Sequence, residues 1–487
     1  MPLDDAAAYR ALQTHDARFD GRLFVGVTST GIYCRPVCRV RLPRRENCRF
    51  YANAASAEQG GFRPCLRCRP ELAPGLALVD SPNVLAQHAA RMLVQAARHG
   101  DAVAIPAVAA RLGVTDRHLR RIFLAAHGVT PIDYLTTQRL LLAKQLLTDT
   151  ELAITHIALA TGFGSQRRFN AAFADHYRLS PSALRRARPQ RTAARDALVG
   201  PTLRLAYRPP FDVDGVIGFF AARCVAGVEA VDVAARALRR TLSLPHQGQT
   251  LRGWLAARFV VDRHELEVVL SPSLAPALGA VVQRLRHGLD LDADPAPVEA
   301  ALADLPGAAG TRVPSGLDGF EIAVRVILGQ QVSVAAARTL TGRLVESLGE
   351  SLPTPFADLN RLFPSAQRIA EATPDEIGRL GIVRQRVGAL QALAAQVHAG
   401  HIELHAGAPM AATLDALRAL PGIGEWTVQL IAMRALAWPD AFPASDIGVM
   451  NALGTRSLKA VDARAQAWRP WRAYAVMRLW QSLENKA

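Results

Sequence analysis

The residues Leu420-Pro421-Gly422-Ile423-Gly424-Glu425-Trp426, followed through a helical run to Phe442-Pro443-Ala444-Ser445-Asp446, decide the fold of the C-terminal half. A Pro-Gly-x-Gly turn bends the backbone tightly, and its glycines can present N–H groups at the start of a helix. With the helix dipole behind them, such N–H groups seat a phosphate. One carboxylate, Asp446, follows on a loop bounded by prolines. A backbone-phosphate anchor with a single acid downstream points to chemistry on DNA. The competing reading is a connection between two helices that merely needs glycine, and the turn alone does not separate the two.

Outward from this stretch, the chain from about 315 reads as helical, with helix starts near Asp318, Thr373 and Thr413. Residues 203–295 contain alternating apolar runs such as Arg258-Phe259-Val260-Val261 and Glu267-Val268-Val269-Leu270, which predict a small mixed α/β subdomain. Further phrases are Pro209-Pro210-Phe211-Asp212, Gly218-Phe219-Phe220-Ala221-Ala222-Arg223 and Val326-Ile327-Leu328-Gly329-Gln330-Gln331-Val332-Ser333. Together with 420–446 they resemble the helix-hairpin-helix, Gly/Pro-Asp DNA glycosylases and, within them, the AlkA-type 3-methyladenine DNA glycosylases. The resemblance implies that Asp446 is the catalytic acid and that Trp426, Trp480 and Phe219 line the base pocket. It implies DNA contacts at Gly422, Gly424, Gln330 and Gln331, and a monovalent cation on the hairpin carbonyls. Two positions depart from the family. Gln331 stands where an apolar wedge is usual, and Leu430 stands in the pocket where a tyrosine is common.

The chemistry such a site must do is limited. An alkylated purine such as 3-methyladenine carries a positive charge that already weakens its glycosidic bond. The enzyme flips the nucleotide, stacks the cationic base on aromatic faces and stabilises an oxocarbenium-like sugar. Bifunctional relatives place a lysine two residues after the second hairpin glycine; that position is Trp426 here, so base excision without strand cleavage is expected. Cys224 is the last cysteine of the chain, which excludes the iron–sulfur branch of the superfamily.

At 487 residues the chain is too long for one core. Its net charge is +15, of which the first 196 residues hold +13, so the partner of the N-terminal part is expected to be a polyanion, with nucleic acid foremost. The start, Met1-Pro2-Leu3-Asp4-Asp5, has no apolar run, and no stretch is apolar enough to span a membrane, so a cytoplasmic, nucleoid-associated bacterial protein is expected.

Five of the six cysteines fall between 34 and 68. Cys34-x3-Cys38 and Cys65-x2-Cys68 are two short loops, each offering two thiolates, which is what tetrahedral zinc takes at about 2.3 Å. Nine arginines accompany them: Arg35, Arg39, Arg41, Arg44, Arg45, Arg49, Arg63, Arg67 and Arg69. A purely structural zinc ribbon does not need so many; a module that approaches a DNA backbone does. Cys48, outside both pairs, reads as a small buried apolar residue. The segment, with Phe50-Tyr51-Ala52-Asn53-Ala54, resembles the N-terminal domain of Ada-type alkylation-response proteins. That resemblance implies a zinc-bound cysteine, Cys34 by position, that takes the methyl group of a methyl phosphotriester in DNA. Losing one thiolate charge to methylation would ease repulsion with phosphate and act as a switch.

Residues 81–187 hold an internal repeat: Ala109 to Phe123 returns, with one insertion, as Ala158 to Phe173. Each copy reads as a short apolar helix, a glycine turn, a capping Thr or Ser, and an amphipathic helix. The second helices expose Arg117, Arg120 and Arg121 in one copy and Ser165, Gln166, Arg167 and Arg168 in the other, suited to base edges and phosphates. A long helix over 131–147 separates them. The repeat, with Leu179-Ser180-Pro181, resembles the double helix-turn-helix of AraC-type activators. Residues 188–202 read as a linker.

The expected fold is multidomain and mainly α. A small zinc-binding α/β domain (1–80) precedes a double helix-turn-helix α domain (81–195). A glycosylase (196–487) follows, with an α/β subdomain (196–312) and a helical helix-hairpin-helix core (313–487). Expected partners are double-stranded DNA carrying alkylated bases, methyl phosphotriesters or promoter sites, and RNA polymerase, with the chain a monomer away from membranes. Two functions stand: a repair glycosylase fused to an alkylation-sensing activator, or a transcription factor whose third part is catalytically silent. The Asp446 carboxylate with its aromatic neighbours favours the first.

Overall fold

The computed structural model describes residues 5–13, 23–38, 40–51, 54–65, 67–68, 70, 82–100, 103–150, 152–186, 200–246 and 248–484. The chain divides into two units, residues 1–141 and 142–487, with the division inside the helix Pro131–Asp149. The linker expected over 188–202 is described only from residue 200.

In the first unit the helix Asp5–Gln13 precedes a four-stranded sheet in the order β3-β1-β2-β4, where β1 is Phe24–Val27, β2 Ile32–Cys34, β3 Cys48–Tyr51 and β4 Arg63–Pro64. β1 pairs antiparallel with β2 and β3, and β2 pairs parallel with β4. Alternation along β1 sends its side chains to opposite faces. Val25 packs with Ala8, Leu12, Leu23 and Cys48, whereas Phe24 packs with Tyr33 and Ala57. Cys48 is therefore the buried apolar residue its position outside both pairs predicts. Past the zinc-domain segment, the helices Pro82–His99, Ile105–Arg111 and Asp116–His127 share a core that includes Leu85, Leu93, Val108, Leu119 and Phe123.

The two repeat copies have the same local construction. Gly113 (φ +68°) turns the chain, and the Thr115 hydroxyl accepts from His118 N to start the helix Asp116–His127. In the second unit, Gly162 (φ +77°) turns the chain, and the Ser165 hydroxyl accepts from Arg168 N to start Gln166–Tyr177. A left-handed residue followed by a hydroxyl cap ends one helix and opens the next within a few residues.

The rest of the second unit opens with an antiparallel sheet in the order β5-β9-β8-β7-β6: β5 Thr202–Ala206, β6 Glu229–Asp232, β7 Ala237–His246, β8 Gln249–Val260 and β9 Glu265–Leu270. Period-two burial is clean in β9, where Leu266, Val268 and Leu270 are buried. β7 buries Leu238, Leu242 and Leu244 on the same pattern, and with them Arg240. A guanidinium at an inward position must find acids. It bonds Glu229, its cross-strand partner on β6, at 2.9 Å and Glu321 at 2.6 Å. Arg325 bonds the other oxygens of the same two acids at 3.0 and 2.8 Å, closing a buried ring of two arginines and two glutamates. Burial pushes the Glu229 carboxyl up, but Arg325 and Arg240 outweigh it and hold it below the usual range. The ring joins the sheet to the helix Gly319–Leu328.

Helical structure dominates from there on. Asp318 and Thr373 cap helices where their sequence predicts, accepting from Glu321 N and Glu376 N. Thr413 does not start a helix. The helix is Met410–Arg418, because Pro409, which has no N–H to lose, stands before the first turn. Among the described residues no helix is long and apolar enough to cross a membrane.

Candidate functional site

The hairpin joins the helices Met410–Arg418 and Glu425–Arg434. Gly422 takes φ +75°, which needs glycine, and a Cβ there would stand 3.1 Å from the Ala389 Cβ. Gly424 caps the second helix without a side chain, and the space its Cβ would fill is empty. Arg418 clasps Glu425 with two hydrogen bonds of 2.9 and 3.2 Å, fixing the two helices across the turn.

From the end of the hairpin helix the chain returns along 440–446. Asp440 holds Arg472 through bonds of 2.6 and 2.9 Å, the Gln429 amide oxygen accepts from Phe442 N, and Asp446 N donates to Pro443 O. Asp446 then caps the helix Ile447–Leu453 by accepting from Val449 N at 3.0 Å. Two indoles complete its surroundings. Trp426 Nε1 donates to Asp446 Oδ2 at 2.9 Å, and Trp480 Nε1 donates to Oδ1 at 2.9 Å. The carboxylate is 7 % exposed, while both tryptophans are half-buried. Three N–H donors thus fix the carboxylate, and two aromatic faces stand beside it. The structure brings these three residues together across gaps of 20 and 34 positions.

Other expected site residues lie deeper. Phe219 and Leu430 belong to the main core. The guanidiniums of Arg223 and Arg434 lie over the Phe219 ring, 3.8 and 5.0 Å from its centroid. Arg434 donates to Pro314 O and Ser315 O, and burial, then Arg223 and Arg325, lowers it to about 9. A cation placed on the same face of Phe219 would have to displace a guanidinium. Gln330 is tied to the hairpin. Its amide donates to Gly422 O and Thr427 Oγ1, both at 2.9 Å, bracing the hairpin from inside the protein. Gln331 is exposed and takes φ +53°, a left-handed conformation uncommon outside glycine. The hydrogen bonds of Trp426 and Trp480 to Asp446 have no local sequence signal, since they join residues 20 and 34 positions apart.

In the first unit, Cys34, Cys38, Cys65 and Cys68 are buried, with their four sulfurs within 4.8 Å of one another. β2 delivers Cys34, a turn with Cys38 N on Arg35 O delivers Cys38, and Cys65 N donates to Tyr33 O beside β4. Hydrogen bonds to Cys38 and Cys68, together with burial, push the Cys34 thiol up, whereas those from Cys34 and Cys68 pull Cys38 down to about 4. Four buried sulfurs at this separation do not share negative charge without a cation, and an all-thiolate set suits zinc. The arginines around them divide. Arg41, Arg44, Arg49, Arg63 and Arg67 are exposed, but Arg35 is buried, its guanidinium on Cys68 O and its N–H on Cys68 Sγ. Arg45 is spent on Asp5 and on the rings of Tyr9 and Phe50, while Arg39 and Arg69 lie outside the described residues. Burial, then Glu229, pushes the Cys224 thiol up to about 11, and it donates to Glu229 O.

On the helix Asp116–His127, Arg117, Arg120 and Arg121 are exposed, with Arg120 paired to Asp116 at 2.9 Å and Arg121 near His118. On Gln166–Tyr177, Arg167 and Arg168 are exposed, whereas Ser165 is the cap and Gln166 accepts from Thr155.

Four family models match the chain in order: the metal binding domain of Ada at 7–71, a helix-turn-helix domain at 108–187, the AlkA N-terminal domain at 202–318, and the HhH-GPD superfamily base excision DNA repair proteins at 324–468. The probable bifunctional transcriptional activator/DNA repair enzyme AlkA of Mycobacterium tuberculosis is 38% identical over 99% of this chain and 97% of its own length. The chain belongs to this family. It is a homologue of the bifunctional transcriptional activator/DNA repair enzyme AlkA, with glycosylase and Ada-like regulatory domains. Escherichia coli DNA-3-methyladenine glycosylase 2 is 34% identical over 57% of this chain and 95% of its own length. The E. coli bifunctional transcriptional activator/DNA repair enzyme Ada is 36% identical over 33% of this chain and 43% of its own length. Within this AlkA family the four-cysteine cluster is that of an Ada zinc-binding domain.

Proposed function

We propose that the chain excises alkylated bases, 3-methyladenine among them, from double-stranded DNA by monofunctional hydrolysis at Asp446. We further propose that residues 1–195 sense methyl phosphotriesters and activate transcription. The observation that carries the first part is the Asp446 carboxylate held between the indole N–H groups of Trp426 and Trp480. A flipped cationic base would stack beside these rings, its sugar over the carboxylate, and developing positive charge on the sugar is what a fixed anion stabilises. Trp426 stands where a Schiff-base lysine would have to be, so no strand cleavage follows. Gly422 and Gly424 would hold a phosphate, and Gln331, exposed in its left-handed conformation, would fill the gap left by the flipped base. A monovalent cation would take hairpin carbonyls other than Gly422 O, which Gln330 occupies.

In the regulatory part, zinc on Cys34, Cys38, Cys65 and Cys68 would keep the sulfurs as thiolates. Cys34 would be the methyl acceptor, attacking a neutral methyl phosphotriester and releasing the phosphodiester anion. The exposed arginines beside it would bind the flanking phosphates, and Arg117, Arg120, Arg121, Arg167 and Arg168 would read or grip promoter DNA. The functional division is at 1–80, 81–195 and 196–487, with RNA polymerase as the partner of the activator and the chain a cytoplasmic, nucleoid-associated monomer. The test is release of 3-methyladenine from methylated duplex DNA by the full chain: release with intact strands supports the assignment, and its absence overturns it.

A further inference from the structure

The helix that Asp446 caps has a glycine at its second position, and nothing in its backbone requires one: Gly448 is not among the residues of positive φ. Alanine is the better helix former. What Gly448 provides is room. A Cβ built there would stand 3.0 Å from Asp446 Oδ1, 3.0 Å from Trp480 Cδ1 and 3.1 Å from Trp480 Nε1. Ordinary contacts of this kind begin near 3.4 Å. The three atoms are the two ends of the Trp480–Asp446 hydrogen bond and the ring carbon next to it.

Asp446 is the less able of the two to yield. Its Oδ1 accepts from Val449 N at 3.0 Å to cap the helix, and its Oδ2 accepts from Trp426. The indole of Trp480, on the helix Arg472–Glu484, is half-buried at the edge of the main core and meets the carboxylate through its N–H. Any side chain at 448 would therefore push the Trp480 ring and lengthen the bond at Oδ1. We infer that Gly448 is a positioning residue of the glycosylase, whose missing side chain lets Trp480 close on Asp446 and fix the carboxylate. The inference rests on the reading of Asp446 as the catalytic carboxylate.

The test is a cycle in the full-length chain: Gly448→Ala, Trp480→Phe and the double variant, each assayed for 3-methyladenine release from methylated duplex DNA with kcat and KM separated. Asp446→Asn is the control for the underlying reading. A hydrogen bond to a charged acceptor sets the expected scale, so Gly448→Ala should lower kcat roughly tenfold to a hundredfold. KM should move little. Indole emission should shift to the red as Trp480 leaves the carboxylate. In the Trp480→Phe background, which has already lost the bond, Gly448→Ala should change kcat less than twofold. A Gly448→Ala chain with wild-type kcat overturns the inference, as does a full-sized penalty in the Trp480→Phe background. If Gly448→Ala alone does not fold, the double variant decides: folding with the kcat of Trp480→Phe supports the clash with the indole, and failure to fold overturns it. An Asp446→Asn chain that still works brings down the catalytic reading itself, a separate result.

Discussion

Trp426 and Asp446, 20 residues apart, meet through a 2.9 Å hydrogen bond from the indole Nε1 to Oδ2, so the first turn of the hairpin's second helix holds the carboxylate that caps Ile447–Leu453. Asp446→Asn would set an amide N–H2 against an indole N–H, because an amide has one acceptor oxygen where the carboxylate has two. The variant should lose about a hundredfold or more of its base release while keeping DNA binding. Release measured by chromatography beside a duplex-binding titration checks both halves. More than a tenth of wild-type turnover would contradict the assignment.

The cysteine cluster should carry one zinc per chain. In zinc-finger peptides the metal contributes on the order of 10–16 kcal/mol of apparent binding energy, and that energy is folding energy. Elemental analysis should find one equivalent, and Cys65→Ser should lose it together with the structure of the N-terminal sheet. A variant that keeps both would refute the ligand set.

The arginines of the first helix-turn-helix copy are not equivalent. Arg120 is bonded to Asp116 at 2.9 Å, and no such carboxylate bond is described for Arg117. Arg117→Ala should weaken DNA binding by about 1–3 kcal/mol if it meets a base edge, and Arg120→Ala by less. Titrations at several salt concentrations separate the cases, since loss of a phosphate contact also lowers the salt slope by about one.

Acid should stabilise one part of the glycosylase. Burial lifts Asp290 to about 6, above the range of an unfolded carboxyl, although Val313 N donates to it and favours the anion. The folded chain then binds more protons than the unfolded one between about pH 4 and 6, so stability from this group is full below pH 4 and is lost as pH rises through 6. Asp290→Asn, which suits the residue's φ of +53°, should flatten that slope and raise the melting temperature at pH 7. A melting curve whose pH dependence is unchanged in the variant would assign the slope elsewhere.

Much of this site was legible because its signals are local. A glycine turn with a hydroxyl cap, two cysteine pairs and a Pro-Gly-x-Gly hairpin each need particular residues at fixed short spacings, and each forms where the sequence places it. What stayed hidden depends on distant partners. Gln330 turns to the hairpin because Gly422 O and Thr427 lie across from it, 92 and 97 positions away. Arg35 is buried although it reads as one more surface cation, and Phe219 reads as a stacking face although two guanidiniums cover it. The start of Met410–Arg418 was displaced for a smaller reason, since proline before a first turn competes with a threonine cap as a start signal.

The ring of Glu229, Arg240, Glu321 and Arg325 has a mechanical consequence. Parting the sheet from the helix Gly319–Leu328 would strand buried charges, and breaking even one such pair costs about 3–5 kcal/mol. Bending a stretch of duplex by several tens of degrees costs about 1–6 kcal/mol. A bent duplex therefore lies on the energy scale of a single broken pair, whereas opening this joint would break all four contacts of the ring. Under the proposed function the protein would be the anvil: the joint should stay shut while the DNA changes shape, and sequences that kink easily should be repaired fastest.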